Sequence, residues 1–136
     1  MKITVRALII QNDEILLVQH HGSDFWSLPG GKVEGNEDLK TCLIREMKEE
    51  LSADAEIGEL RFINEFRYEK DAEPIVEFFF EIKNPRDFAI LITGSHTKKE
   101  LSKIEWRPIE ESMNIKPEFL EEMLKNSQKG IQYISR

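Results

Sequence analysis

Apolar and polar positions alternate along much of this chain, and the points where the period changes mark its elements. Residues 2–10 (KITVRALII) and Glu14–His20 (EILLVQH) read as strands, and Gln11-Asn12-Asp13 between them predicts a β-hairpin turn. Phe25-Trp26-Ser27-Leu28 is a short apolar piece halted by Pro29-Gly30-Gly31. From Asp38 to Leu51 the period becomes helical. Leu43, Met47 and Leu51 fall at i, i+4 and i+8, with Thr41, Arg45 and Lys48 on the opposite side. Ile57–Tyr68 and Ile75–Ile82 read as longer strands joined by the polar turn KDAEP. The second of them, IVEFFFEI, is apolar enough to be central in a sheet. Asn84–Lys99 is poorly patterned, although FAILI within it reads as a further short strand. Ile104–Arg107 is a strand and Pro117–Asn126 a closing amphipathic helix. These elements predict an α+β fold, an α/β/α sandwich with a mixed β-sheet between helices. No repeat or linker divides it, so one domain over residues 1–136 is expected.

The helix carries an electrostatic problem. Glu49 and Glu50 follow Glu46 by three and four residues, which sets their side chains about 5–6 Å from that of Glu46 on one face. They repel, and near a helix C-terminus they also oppose the macrodipole. A rotation of 100° per residue puts Glu50 beside the Leu43/Met47 stripe and Glu46 just beyond it, so both border the buried face. A cation should offset them, and a divalent metal is the simplest choice. Pro29-Gly30-Gly31 turns sharply enough to expose backbone carbonyls, and Glu34 and Glu37 add carboxylates near the helix start. Hard oxygen donors of this kind select Mg²⁺, Mn²⁺ or Ca²⁺ over zinc. Three histidines and one cysteine also argue against a zinc site.

Composition narrows the rest. With 136 residues, 40% hydrophobic and 33% charged, the chain has the profile of a soluble globular protein. No apolar run reaches the ~18 residues of a membrane span, and Arg6 interrupts the apolar N-terminal stretch, which favours a strand over a secretion signal. The single cysteine, Cys42, cannot form an internal disulfide. It reads as a small buried hydrophobe and suggests a reducing, cytoplasmic setting. The net charge of −7 comes without a basic stripe, so neither duplex nucleic acid nor a membrane surface is an expected partner. An acidic protein can still handle anionic phosphates when metal ions mediate the contact.

Gly31, Glu37 and Arg45-Glu46-Met47-Lys48-Glu49-Glu50, preceded by Leu28-Pro29-Gly30, are spaced as in the signature of the Nudix hydrolase superfamily. The chain therefore resembles that family, and its MutT-type members in particular. The pattern departs at the helix end, where Ser52 and Ala53 replace the usual Gly and aliphatic residue. A glycine there would close the helix in a left-handed conformation; either Ser52 is forced into it at a cost of about 1 kcal/mol, or the helix ends slightly differently.

The resemblance implies that Glu46, Glu49 and Glu50, with the Gly30 carbonyl, hold catalytic Mg²⁺ or Mn²⁺, with Glu34 as a further candidate ligand. Arg45 becomes an orienting partner for neighbouring carboxylates, and Glu37 an indirect contact to the helix or metal shell. A glutamate from a later loop serves MutT-type enzymes, and Glu100 has a similar spacing, in competition with Glu77, Glu81 and Glu105. The implied reaction is attack of water on a phosphoanhydride in a nucleoside diphosphate linked to another group, such as a (d)NTP or ADP-ribose. Candidate substrate contacts are Lys32, Trp26, His21 and Arg67. For Trp26 core packing is the competing reading, and for His21 a strand end. Two other classes are a Nudix fold kept as a nucleotide-binding or regulatory module without turnover, and a purely structural acidic domain. The last leaves the repelling carboxylates unexplained. Neither base preference nor oligomeric state is readable from the sequence.

Overall fold

The computed structural model describes residues 1–88, 101–109, 114–125 and 130–135. Strands β1 (Lys2–Leu8), β2 (Ile10–Gln11), β3 (Glu14–His20) and β4 (Gly30–Lys32) precede helix α1 (Leu39–Leu51). Strands β5 (Ile57–Phe66), β6 (Ile75–Ile82) and β7 (Leu101–Pro108), helix α2 (Phe119–Lys125) and strand β8 (Gln132–Ser135) follow. Hydrogen bonding divides the strands into a five-stranded mixed sheet, β4-β1-β6-β5-β8, and a three-stranded antiparallel one, β2-β3-β7. The apolar IVEFFFEI strand lies at the centre of the larger sheet, flanked by β1 in parallel and β5 in antiparallel register.

Alternation along the central strands sends side chains to two cores, one on each face. Val5, Ala7, Phe80 and Ile82 pack with Leu43, Met47 and Leu51 of α1. Leu8, Phe62 and Phe79 pack with Phe119 and Leu120 of α2. Three rings, Phe62, Phe79 and Phe119, meet edge to face at centroid separations of 6.0–6.3 Å and seat α2 on the sheet. The two helices thus cover opposite faces, as an α/β/α sandwich requires. No helix of the described residues is long and apolar enough to cross a membrane.

The N-terminal hairpin differs from its expected form. Residues 2–10 do not make one strand. The chain leaves the large sheet after Leu8, and Ile10–Gln11 joins β3 in the small one. Fully buried Ile9 forms the joint, its carbonyl accepting from the Leu16 N–H at 3.0 Å. The turn itself is only Asn12 and Asp13, both at positive φ (54° and 62°), which is the paired left-handed geometry of a tight hairpin. At the chain's other end, Pro117 and Glu118 lead into α2 and are not part of it, and Asn126 lies outside the described residues. So does most of the FAILI segment, of which only buried Phe88 is described.

Helix α1 starts on Asp38, whose carboxylate accepts from the Thr41 N–H at 2.8 Å. It ends on Ser52, at φ 56° and ψ 31°, whose N–H bonds the Lys48 carbonyl. Serine has therefore taken the left-handed cap position that glycine fills without strain. Ser52→Gly should stabilise the fold by up to about 0.6 kcal/mol, the strain relieved less the added entropy of the unfolded chain. Urea unfolding of the two proteins measures this directly.

Candidate active site

The periodicity of α1 puts Glu46 and Glu50 on the same buried face as Leu43, Met47 and Leu51, while Glu49 is exposed. Opposite that face runs the Pro29-Gly30-Gly31 turn into β4. The Gly30 N–H donates to Glu50 Oε1 at 3.0 Å, in a buried bond that ties turn to helix. Gly30 itself has φ +153°, and a Cβ on it would fall 1.9 Å from the Val5 carbonyl oxygen. At Gly31 a Cβ would stand 2.4 Å from the Glu46 Cδ. The double glycine is therefore a steric requirement for bringing a backbone turn against two buried carboxylates.

The cation demanded by this cluster is supplied in part by the protein. The Arg45 guanidinium forms a fork on Glu37, with Nε–Oε2 at 2.7 Å and Nη2–Oε1 at 2.8 Å. Its Nη1 reaches Glu46 Oε1 at 2.9 Å and Glu49 Oε2 at 3.1 Å, and Glu34 Oε2 lies 3.8 Å from Nη2. Arg45 is thus the orienting partner of the carboxylates that the resemblance implied, and a protein cation beside the acids. Arg45 ties the loop carrying Glu34 and Glu37 to the helix and sets the rotamers of the helix carboxylates.

Hydrogen bonds from Arg45, then the Glu34 backbone N–H, hold the Glu37 carboxyl at about 2, down from 4.5. A carboxyl depressed in the fold stabilises it above its unfolded value and loses that contribution as pH falls. Glu37→Gln should thus be less stable than wild type at neutral pH. The difference should close as pH drops from 4.5 towards 2, which melting temperatures across that range will show. Cys42, fully buried beneath this cluster, has its thiol pushed up to about 12, chiefly by burial and next by Glu37. It remains a protonated core residue.

The donor chemistry fits a hard divalent cation. The Gly30 carbonyl and the carboxylates of Glu46, Glu49 and Glu50 would all be oxygen donors to it, and the missing Cβ of Gly31 lets the backbone close onto Glu46. Among the described residues no three acidic, His or Cys side chains already converge as a metal cage. Of the three helix glutamates, Glu49 is the exposed one, held at its surface position by Arg45.

The other sequence candidates are spread more widely. The exposed Glu34 carboxylate lies 3.8 Å from Arg45, and the Glu34 backbone N–H bonds Glu37. Lys32 contributes its backbone carbonyl, which accepts from Arg45 Nη2 at 3.4 Å, and its side chain is exposed. Trp26 is 8% exposed, packed in the α2-side core with the Arg107 guanidinium 5.5 Å from its ring. His21 is exposed in the turn after β3. Arg67 lines a cleft of about 490 Å³ on the α2 face. Of the competing acids, Glu77 is buried in that cleft, while Glu81 pairs with Arg61 and Glu105 is half-buried on β7. Glu100 lies outside the described residues.

Sequence reasoning missed the polar group in this cleft. Arg6, Asn64 and Glu77 line it together with His20, Phe25 and Phe66. Arg6 Nη1 donates to the Leu28 carbonyl at 3.2 Å, so the cleft abuts the segment leading into the double glycine. The available signal was polar residues at inward positions of otherwise apolar strands: Arg6 in KITVRAL, Asn64 in FINEF and Glu77 in IVEFFFEI.

A mixed sheet between two helices, with carboxylates of one helix set against a glycine turn, is the framework of a Nudix hydrolase. The comparisons agree: residues 1–127 match the model of the NUDIX domain, and the chain belongs to that family. It is 34% identical over 115 residues to the m7GpppN-mRNA hydrolase of Saccharomyces cerevisiae, an alignment covering 76% of this chain and 10% of the relative. It is 42% identical over 59 residues to the CTP pyrophosphohydrolase of Escherichia coli, covering 40% of this chain and 44% of the relative. The solution structure of the E. coli ORF135 protein superposes with a TM-score of 0.67 at 28% identity, over 86% of this chain and 81% of that one.

Proposed function

We propose that this chain is a metal-dependent hydrolase that opens a phosphoanhydride in a nucleoside diphosphate linked to another group. The observation that carries the reading is the pair of buried carboxylates, Glu46 and Glu50, closed against the glycine turn. Arg45 offsets part of their charge but leaves a surplus of acids over cations at one spot. Names among the relatives, such as CTP pyrophosphohydrolase, UDP-X diphosphatase and ADP-ribose pyrophosphatase, support the same class of substrate.

In this reading Glu46, Glu49, Glu50 and the Gly30 carbonyl hold Mg²⁺ or Mn²⁺. Such an ion supplies charge neutralisation on the diphosphate and a lowered pKa for the attacking water. Arg45 keeps Glu46 and Glu49 oriented, and Glu37 keeps Arg45 in place. A carboxylate of the cluster takes the water's proton. The nucleoside lies in the α2-side cleft, where aromatic rings offer stacking surfaces and Arg67 and Lys116 supply positive charge.

A second reading, a nucleotide-binding module without turnover, draws on the Arg45 salt bridges that already occupy the acids. A phosphate-release screen with and without Mg²⁺, across (d)NTPs, ADP-ribose, nucleotide sugars and dinucleoside polyphosphates, separates the two. Mg²⁺-dependent turnover of at least one class is expected. Binding without turnover on the whole panel would favour the silent module.

A further inference from the structure

We propose that the α2-side cleft selects nucleobases that carry an exocyclic amino group, and that Asn64 makes the selection. The proposal rests on the nucleotide reading above and adds a specificity to it.

Strand register places Thr4 of β1, Glu77 of β6 and Asn64 of β5 in one row across the sheet. Glu77 and Asn64 are 5% and 1% exposed. The next row along the same strand faces is apolar, with Phe62 opposite Phe79. Within the polar row the hydrogen bonds run in one direction. Arg6 Nε donates to Glu77 Oε2 at 3.3 Å, and Asn64 Nδ2 donates to Glu77 Oε1 at 3.2 Å. That leaves Asn64 Oδ1 as a buried acceptor, and Thr4 Oγ1 in the same row as a buried hydroxyl, with no partner among the described residues. Buried polar atoms are nearly always satisfied, so such an atom beside a cleft points to a ligand donor. Asn64, Glu77 and Arg6 all line the cleft.

The carboxylate also fixes which way the amide faces. Turning it over would set Asn64 Oδ1 against Glu77 Oε1, two acceptors in contact. Arg6 in turn holds Glu77, through the Nε bond and its own anchor on the Leu28 carbonyl. With one Nδ2 hydrogen committed to Glu77, the unpaired acceptor of this residue is Oδ1. An amino group, as on cytosine or adenine, satisfies it. The carbonyl of uracil or hypoxanthine at the same place meets it acceptor to acceptor. Sites built to bond one polar group reject analogues lacking it, because their own buried atoms are then left unpaired. Phe25, Phe66 and Tyr68 give the base stacking surfaces but distinguish no edge.

The test is calorimetric binding of CMP, UMP, AMP and IMP to the full chain in EDTA, where no hydrolysis intervenes. CMP should bind tighter than UMP, and AMP tighter than IMP, each by on the order of tenfold. Asn64→Leu, shown by its melting curve to be folded, should bring both ratios to within about twofold. If that variant does not fold, the wild-type ratios decide alone, together with kcat/KM for CTP against UTP. Ratios near one, or favouring the oxo bases, would overturn the selection while leaving Mg²⁺-dependent hydrolysis standing. Failure of all four to bind, together with no turnover, would overturn both readings.

Discussion

Glu49→Gln together with Glu50→Gln is expected to reduce Mg²⁺-dependent hydrolysis by about a thousandfold or more, the loss of several kcal/mol of transition-state stabilisation. Glutamine matches glutamate in shape. Its amide oxygen at position 50 can still accept from the Gly30 N–H, which now bonds Glu50 Oε1 at 3.0 Å. Arg45 loses one partner, exposed Glu49, and keeps Glu37 and Glu46. Two negative charges leave a crowded cluster, so repulsion falls and the fold should survive. Steady-state rates and far-UV circular dichroism on the same preparation separate the two effects. Turnover within about tenfold of wild type in the folded double variant would remove these residues from the chemistry.

Gly30→Ala is the second large effect, and it acts on folding. The methyl group would enter the Val5 carbonyl oxygen at 1.9 Å, and the atoms it meets belong to the backbone of β1, which cannot step aside as a side chain could. Strand β1 lies inside the five-stranded sheet, paired with β4 on one side and β6 on the other. A φ of +153° adds conformational strain for any residue with a Cβ. A destabilisation of at least about 3 kcal/mol is expected, from overpacking and backbone strain together. Chemical denaturation measures it, and a variant within about 1 kcal/mol of wild type would mean that the turn relaxes freely.

Where local chemistry decides the structure, the sequence was readable. The 3.6-residue period from Leu43 to Leu51, with Asp38 before it and left-handed Ser52 after it, delimits α1 to within a residue. The apolar run of IVEFFFEI foretold its central place. The hairpin was harder, because residues 2–10 keep an apolar character across the point where the chain changes sheets. Only the partner strands show that break at Ile9. The role of Arg45 was half readable, since its spacing to Glu49 is helical while its fork on Glu37 needs the loop to fold back. The Thr4–Glu77–Asn64 row was hidden, because its members lie on strands distant in sequence and meet only through register. Periodicity says which face a residue takes and leaves open which neighbour it meets there.

The three glutamates of α1 and the glycine turn opposite them are the centre of the functional reading, and a metal titration addresses them without any choice of substrate. Electron paramagnetic resonance of Mn²⁺ added to the wild-type chain, and to the Glu49→Gln/Glu50→Gln variant, counts bound ions in each. Saturable Mn²⁺ binding by the wild type, competed by Mg²⁺ and abolished in the folded variant, is the expected result. Equal Mn²⁺ binding by both proteins, or none by the wild type even with nucleotide present, would contradict it.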